Sequence, residues 1–222
     1  SRDKSTGTAE FGIDLQGDDL LVAAVRHSPV WGAKVAKLDA AAAQKLPGVV
    51  GAHPVDNGVA VVADSYWHAR KGLEALKVEF ESAPHGDFSS AAYAERIKGR
   101  LDDTGVAAEN EGDAQKALAA AKQRVQADYL VPFLAHATME PQNCAAQIKN
   151  GRCIVWAPNQ GADFVADLAA KLSGLPLSAV EVRTPYLGGG FGRRFYTQHY
   201  VTQAVDLARK ILALWNDEEW RK

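Results

Sequence analysis

A short glycine-rich segment constrains this chain more than any other feature of its sequence. Four of the seven residues from Gly188 to Arg194 are glycine. A strand pattern at Val180–Arg183 precedes the segment and a helical pattern from about Tyr196 follows it, which predicts a tight turn between a strand and a helix. Glycines leave backbone N–H groups unobstructed, and a helix start favours negative charge. The segment therefore predicts a site for a phosphate or an oxo anion, to which Arg193 and Arg194 add positive charge.

Two common glycine-rich motifs do not match this segment. A Rossmann fingerprint needs a third glycine where Arg193 stands, and a Walker A loop needs Gly-Lys-Ser/Thr at its end. The chain also lacks the Gly-x-Ser-x-Gly and His-Glu-x-x-His motifs, and its histidines are dispersed. A purely structural role, in which the glycines only permit close packing, is the alternative interpretation.

The composition predicts a globular protein with no nucleic-acid partner and no membrane insertion. The 222 residues include 25 Lys+Arg and 27 Asp+Glu, for a net charge of -2, and no basic stripe is present. With 47% hydrophobic residues, a chain of this length can bury a core. Apolar runs such as Leu20–Val25 are far shorter than the roughly 18 residues that a membrane helix needs.

Two cysteines, Cys144 and Cys153, are the only ones in the chain. An iron–sulfur cluster usually takes four thiolates, and a structural zinc site takes four Cys or His ligands. We therefore expect two buried free thiols, and no cluster held by these cysteines alone.

The first eighty residues predict a compact unit that mixes strands and helices. Strand patterns lie at residues 11–15, 20–25, 49–52, 59–63 and 76–80, the first two forming a hairpin around residues 17–19. Helices are expected at residues 39–46 and, capped by Ser65, through Ala75.

A turn-rich break at residues 81–86 predicts a domain boundary. Beyond it, helices are expected at residues 89–101, 113–125 and 163–172, and strands at 129–134, 144–148, 153–156 and 180–183. Asn150-Gly151 predicts a hairpin. The last helical pattern runs from Lys210 directly into Ile211, so either the helix continues through Trp215 or a connecting loop is missing.

Two segments, Gly188–Arg194 and Ala135–Cys144, resemble the molybdenum-cofactor-binding large subunit of the xanthine dehydrogenase/aldehyde oxidase family. The Arg-Arg ending is similar to that of the isoquinoline 1-oxidoreductase beta-subunit type. Thr6–Asp14, Leu46–Val50 and Val62–Arg70 are similar to the family's α/β hammerhead domain. The resemblance implies an α+β chain with a hammerhead domain at residues 1–82, a helical connecting segment at 83–124 and the first part of the molybdopterin-binding domain at 125–222.

The resemblance also implies roles for particular residues. The family has a glutamine, matched by Gln160 in spacing, that hydrogen-bonds an oxygen ligand of molybdenum. The cofactor-binding residues are then Gln160, Gly188, Gly189, Gly190, Phe191, Gly192, Arg193 and Arg194, while Phe195 and Glu140 line the substrate pocket. No catalytic residue or metal ligand is assigned. From the residues alone, Gln160 could be a solvent-facing amide, Phe191 a core residue and Glu140 a structural hydrogen-bond acceptor.

The implied function is oxidation of an aldehyde or an aromatic N-heterocycle, with water as the oxygen source, by a bacterial enzyme of the periplasm or cytoplasm. A purine substrate is disfavoured, because Arg193, Arg194 and Phe195 follow Gly192 where the purine-oxidising branch has a substrate-binding glutamate. The implied cofactor is molybdopterin in its cytosine dinucleotide form, carrying molybdenum. Iron–sulfur clusters are expected on a partner subunit.

The family's catalytic glutamate lies far downstream, whereas this sequence stops at Lys222. We therefore expect a partial large subunit that is inactive alone. Its partners would be the remaining part of the large subunit, an iron–sulfur small subunit and a small-molecule substrate. The alternatives are a non-enzymatic module for cofactor assembly or partner binding, and an enzyme with an ordinary phosphate ligand.

Overall fold

The computed structural model describes residues 1–17, 20–196 and 198–216, and of residues 214–216 the backbone alone. The chain forms two compact units, one from Ser1–Gly86 and from His136 onward, the other from Asp87–Ala135. Their mixed helices and sheets confirm the predicted α+β class. The three-part domain division at residues 82 and 124 stays a prediction.

The larger unit contains three small sheets and four α-helices among the described residues. Its strands are β1 (Val22–His27), β2 (Val35–Asp39), β3 (Val49–Val55), β4 (Gly58–Ala63), β5 (Lys77–Phe80), β6 (Ala145–Lys149), β7 (Arg152–Trp156) and β8 (Val180–Arg183). Its helices are α1 (Arg2–Thr6), α2 (Tyr66–Ala75), α5 (Ala162–Ser173) and α6 (His199–Asn216). The smaller unit carries α3 (Ser90–Lys98) and α4 (Ala114–Ala120).

Strand β4 is the centre of the first sheet, which has the order β1-β4-β3 with antiparallel pairing throughout. All six of its residues are buried. Val59 and Val61 pack in one core with Leu73 of α2, while Ala60 and Val62 pack in another with Leu207 of α6. Helices on both faces therefore explain why β4 has a continuous apolar sequence instead of an alternating one.

The second three-stranded sheet has the order β6-β7-β8. Strands β6 and β7 form an antiparallel hairpin, and β7 pairs in parallel with β8. Val155 of β7 packs with Val165 of α5 and with Val201 and Val205 of α6. Helix α6 thus takes part in the cores of both sheets.

Several local predictions are confirmed. The Ser65 hydroxyl caps α2 by accepting a hydrogen bond from the His68 N–H at 3.3 Å. The hairpin at Asn150-Gly151 forms, with Asn150 at φ +51° and Gly151 at φ +71°. Helix α6 continues past Lys210 without a break, as the first of the two alternatives for that segment predicts.

Two strand predictions are wrong. Residues 11–15 include a short 3₁₀ helix at Gly12–Asp14, because the Asp14 carboxylate accepts a hydrogen bond from the Phe11 N–H at 2.9 Å and closes a turn. The predicted hairpin turn around residues 17–19 lies in part outside the described residues. Residues 129–134 have no regular secondary structure. Pro132 cannot donate to a ladder, and a strand needs a neighbour to satisfy its backbone.

The predicted helix at residues 39–46 is also wrong. Its first residue, Asp39, ends β2, whose partner strand is β5, and only Ala43–Lys45 form a 3₁₀ helix. The Asp39 carboxylate accepts from the Ala41 N–H at 3.1 Å, which fixes a turn at this point. Strand pairing here outweighs the helix propensity of the alanines.

Both cysteines are free thiols, as predicted. Cys153 is fully buried and Cys144 is partly buried. Burial raises the pKa of both thiols, so they are protonated at neutral pH. In the part of the chain that the structure describes, no helix has the length and apolarity that a bilayer crossing requires.

Gly72 lets α2 lie close to β4, which generates a test of this packing. A Cβ at position 72 would lie 2.6 Å from Val61 Cγ1. We expect Gly72→Ala to lower the free energy of unfolding by about 1–2 kcal/mol through overpacking, although alanine is the better helix former. Urea unfolding followed by circular dichroism measures the change. Gly105→Ala, in open space, is the control, and a Gly72→Ala protein as stable as wild type would contradict this packing.

Candidate cofactor-binding site

The glycine-rich segment, called the glycine loop here and defined as Gly188–Arg194, turns sharply between β8 and α6. Gly189 and Gly192 have φ values of +107° and +84°, and Phe191 has +53°. These values lie in the left-handed region, which glycine adopts without strain. The Arg193 N–H donates to the Gly190 carbonyl at 2.8 Å, which forms a turn. The predicted turn is confirmed, but α6 begins only at His199, so the loop does not abut a helix start.

Gln160 lies against this loop, in the connection between β7 and α5. Its side-chain Oε1 accepts a hydrogen bond from the Gly192 N–H at 3.1 Å, and its backbone N–H donates to the Arg194 carbonyl at 3.0 Å. A Cβ at Gly190 would lie 2.5 Å from Gln160 Oε1, so any other residue there would displace the carboxamide. The structure therefore brings together the carboxamide and the loop, which the resemblance had assigned to one site.

The site holds hydrogen-bond donors that the protein does not use. Within the described ranges, the N–H groups of Gly189, Gly190 and Phe191 donate to no protein acceptor, and neither does Gln160 Nε2. Gln160 is exposed, and Phe191 has 72% of its surface exposed. Successive backbone N–H groups in a turn, with a carboxamide beside them, suit an oxygen-rich anionic ligand.

Glu140 lies beneath the start of the loop and is 6% exposed. Its Oε2 accepts from the Gly188 N–H at 3.0 Å, and its Oε1 accepts from Asn143 Nδ2 at 2.9 Å and from the Ile13 N–H at 3.2 Å. Both oxygens are thus engaged by protein donors. These contacts support the structural role of Glu140, the alternative raised above, and a place in the substrate pocket stays a prediction that they do not support.

Arg194 is fully buried, so its guanidinium does not reach an exposed ligand, contrary to the role predicted for its charge. Its Nη2 lies 2.9 Å from Glu140 Oε2, and its Nη1 donates to the Pro158 carbonyl at 3.2 Å. The sequence could not reveal this inward orientation, because Glu140 is distant along the chain. The loop therefore presents its backbone, while this side chain anchors it from below.

Arg193 contacts His199, a residue that the sequence analysis did not single out. Its Nη2 lies 2.9 Å from His199 Nε2, and His199 packs edge-on against His27 and Trp31. Burial, together with the nearby charge of Arg193 and the neighbouring His27, lowers the pKa of His199 to about 4. His199 is therefore neutral at pH 7 and able to accept a hydrogen bond from Arg193.

Aromatic side chains follow the loop. Phe195 packs edge-on against Phe164, with ring centroids 5.3 Å apart, and its ring lies 4.2 Å from that of Tyr196. Phe195 is half-buried, while Tyr196 is 77% exposed. The structure thus places Phe195 in an apolar cluster next to Gly161 and the glycine loop, and its contact with a substrate stays a prediction.

One further residue, Asn159, holds the Gln160 connection in place and was missed from the sequence. Its Nδ2 donates to the Ala157 carbonyl and to Thr184 Oγ1, and its Oδ1 accepts from the Gly161 N–H at 2.9 Å. The available signal was its position between a predicted strand and a predicted helix, where an asparagine side chain often closes a turn. Among residues 1–17, 20–196 and 198–216, no three His, Cys, Asp or Glu side chains converge as metal ligands would.

Comparison with known proteins identifies the family. The molybdopterin cofactor-binding domain family matches residues 100–212, a stretch that contains Gln160 and the whole glycine loop. This chain belongs to that family. The resemblance to the molybdenum-binding large subunits of the xanthine dehydrogenase/aldehyde oxidase family is confirmed.

Individual relatives show how much of a longer protein this chain corresponds to. It is 30% identical over 219 residues to a membrane-bound aldehyde dehydrogenase [pyrroloquinoline-quinone] of Gluconacetobacter polyoxogenes, a match over 94% of this chain and 28% of that protein. It is 24% identical over 229 residues to isoquinoline 1-oxidoreductase subunit beta of Brevundimonas diminuta, over 97% of this chain and 29% of that one. The chain thus spans less than a third of the length of these relatives.

The fold has counterparts among solved structures. The crystal structure of quinoline 2-oxidoreductase from Pseudomonas putida 86 matches with a TM-score of 0.69 and 22% identity. The match covers 95% of this chain and 32% of that one. At this identity the likeness shows a shared fold, which agrees with the observed α+β architecture.

The residues present fit a molybdopterin group. Three consecutive backbone N–H groups lack protein acceptors in the described part of the chain, and the Gln160 carboxamide retains a donor. A Cβ at position 190 would fill the space that Gln160 Oε1 occupies. Neutral donors of fixed direction match the oxygen-rich surroundings of a molybdenum–pterin group.

The neutral state of His199 generates a prediction about pH. The pKa of His199 is about 4 in the folded protein and near 6.5 when unfolded, so the folded state binds its proton more weakly. The contribution of this residue to the free energy of unfolding is complete above pH 6.5, decreases as the pH falls from about 6.5 to about 4, and is absent below that. We expect this residue to account for about 1–3 kcal/mol of the loss of unfolding free energy between pH 7 and pH 4.

Urea unfolding of the wild type and of His199→Gln at several pH values measures this contribution. The variant should lose part of the pH dependence, because glutamine does not titrate. His85→Gln, at an exposed position without a hydrogen bond in the described residues, is the control and should follow the wild type. If the free energy of unfolding changed with pH equally in the wild type and in His199→Gln, the prediction would be contradicted.

Proposed function

We propose that this chain forms the cofactor-holding part of a molybdenum hydroxylase large subunit, in an enzyme that oxidises an aldehyde or an aromatic N-heterocycle with water as the oxygen source. The observation that carries the proposal is the hydrogen bond from the Gly192 N–H to Gln160 Oε1 at 3.1 Å. It joins the carboxamide to the glycine loop and leaves the remaining donors of both to a ligand. Membership of the molybdopterin cofactor-binding domain family supports the same role.

The residues of the chain would bind and orient the cofactor. Gln160 Nε2 and the N–H groups of Gly189, Gly190 and Phe191 would donate hydrogen bonds to its oxygen atoms. When bound, molybdopterin supplies a molybdenum centre capable of two-electron oxidation. The protein contributes fixed donors, since Gln160 is restrained by Gly192 and Arg194.

The complete enzyme needs more than this chain. We propose the cytosine dinucleotide form of molybdopterin, the remaining part of the large subunit, and a small subunit that carries the iron–sulfur clusters. The matched relatives are about three times longer, and they include proteins named for an aldehyde and for isoquinoline. We therefore expect the 222-residue chain to be inactive alone, and turnover of an aldehyde or N-heterocycle by the purified chain would contradict this.

Metal and pterin analysis of protein purified from a molybdate-fed bacterial host tests the proposed function. The expected result, for the large subunit that contains this sequence, is about one molybdenum and one pterin per chain, with cytidine monophosphate released on acid hydrolysis. A well-folded protein without molybdenum or pterin would overturn the proposal and favour a partner-binding module. Pyrroloquinoline quinone in place of pterin would do the same, since one relative is named for that cofactor.

Gln160 gives the proposal a point test. Gln160→Ala removes the carboxamide that accepts from Gly192 and that would donate to the cofactor. We expect the molybdenum content to fall about tenfold, as expected for the loss of one or two hydrogen bonds to a charged group, with stability changed by less than about 1 kcal/mol. Gln147→Ala, at an exposed position on β6, is the matched control. Unchanged molybdenum in Gln160→Ala would remove Gln160 from the site.

A further inference from the structure

We propose that Glu140 and Arg194 are positioning residues, and that their buried ion pair sets the geometry in which the glycine loop and Gln160 meet the cofactor. The inference rests on the proposed function and deepens it. Both side chains of the pair are buried beneath the loop.

Glu140 holds the start of the loop by two hydrogen bonds. Its backbone N–H donates to the Gly188 carbonyl at 3.0 Å, and its Oε2 accepts from the Gly188 N–H at 3.0 Å. A Cβ at Gly188 would collide with the Cβ of Glu140. The loop backbone therefore lies directly on the glutamate, with no room for a side chain between them.

The carboxylate oxygen Oε2 of Glu140 also holds the end of the loop. Arg194 Nη2 lies 2.9 Å from Glu140 Oε2, the oxygen that also accepts from Gly188. One oxygen atom thus ties the first residue of the loop to the last. The loop closes over Glu140, and its span is set by this shared acceptor.

Arg194 connects the ion pair to Gln160. Arg194 Nη1 donates to the Pro158 carbonyl at 3.2 Å, and the Arg194 carbonyl accepts from the Gln160 N–H at 3.0 Å. Arg194 therefore contacts the Gln160 connection with both its side chain and its backbone. Displacement of its guanidinium would move the carboxamide relative to the loop.

The charges of Arg194 and Glu140 are both buried. The side chains of Arg194 and Glu140 are 0% and 4% exposed. A buried charge without its partner is strongly unfavourable, and the planar fork of arginine makes several directed bonds that a lysine cannot reproduce. The pair therefore favours one loop conformation, because other conformations would separate the charges.

Variants of the pair test the inference in the large subunit that contains this sequence. Glu140→Gln keeps the shape and removes the charge, and Arg194→Lys keeps the charge and removes the fork. The matched control is Glu181→Gln on β8, which removes ion pairs with Arg183 and Arg152 at a half-exposed site. Two quantities are measured for each protein: hydrogen exchange of peptides covering residues 158–161 and 188–194, and the molybdenum and pterin content.

We expect Glu140→Gln and Arg194→Lys to speed exchange in both peptides by about tenfold or more, as expected for loss of a charge-assisted hydrogen bond. The peptide of β4 should exchange as in the wild type, which shows that the effect is local. Molybdenum and pterin content should fall together by at least about half, and Glu181→Gln should match the wild type in every respect.

Wild-type exchange and wild-type molybdenum content in folded Glu140→Gln or Arg194→Lys would overturn the inference. If Glu140→Gln fails to fold, Arg194→Lys decides by the same two measurements. If hydrogen exchange also became faster to the same degree in β4, the pair would be merely structural, and this result would likewise overturn the inference. Absence of molybdenum from the wild type would refute the proposed function instead, and the exchange of the two peptides would still show whether the pair fixes the loop.

Discussion

The packing of α6 between two sheets is the interaction on which the rest of the larger unit depends. Leu207 packs with Ala60 and Val62 of β4, while Val201 and Val205 pack with the core of β6, β7 and β8. Burial of these side chains fixes where α6 lies. The glycine loop must then join β8 to the start of this helix. Its turns are formed between two ends that apolar burial already holds in place, so a short segment of low helix and strand propensity adopts one defined path.

The parts of the fold that the sequence predicts are those decided by neighbouring residues. Asn150-Gly151 forms its hairpin because both residues tolerate positive φ, and Ser65 caps α2 because its hydroxyl reaches a helix N–H three residues on. Local strand patterns were insufficient at residues 11–15 and 129–134. In the first segment a side chain, Asp14, competes for the backbone N–H of Phe11. The second segment pairs with no strand among the residues that the structure describes. Whether a partner strand is available is a tertiary property, which local patterns do not contain.

The candidate site also has features that neighbouring residues predict and features that only the folded structure determines. Glycine content predicts the sharp turn of the loop, and spacing within a family pattern placed Gln160 beside it, which the structure bears out. The direction of the Arg194 side chain was not predictable, because it depends on Glu140, 54 residues away. His199 escaped notice for a similar reason. Its neutral state comes from burial and from Arg193 and His27, and these surroundings exist only once α6 has packed against β1 and the loop.

The two arginines that end the loop show how a positively charged sequence can form a site whose donors are neutral. Arg194 is paired with Glu140, and Arg193 contacts the neutral ring of His199. Both cations are thereby held by the protein, and among the described residues the N–H groups of Gly189, Gly190 and Phe191 donate to no protein acceptor. Backbone dipoles in a restrained turn cannot rotate away, whereas an exposed arginine side chain loses considerable rotamer freedom when it binds. In the proposed function, Arg194 contributes by fixing the donors of the loop and not by direct attraction, since its guanidinium is buried against Glu140.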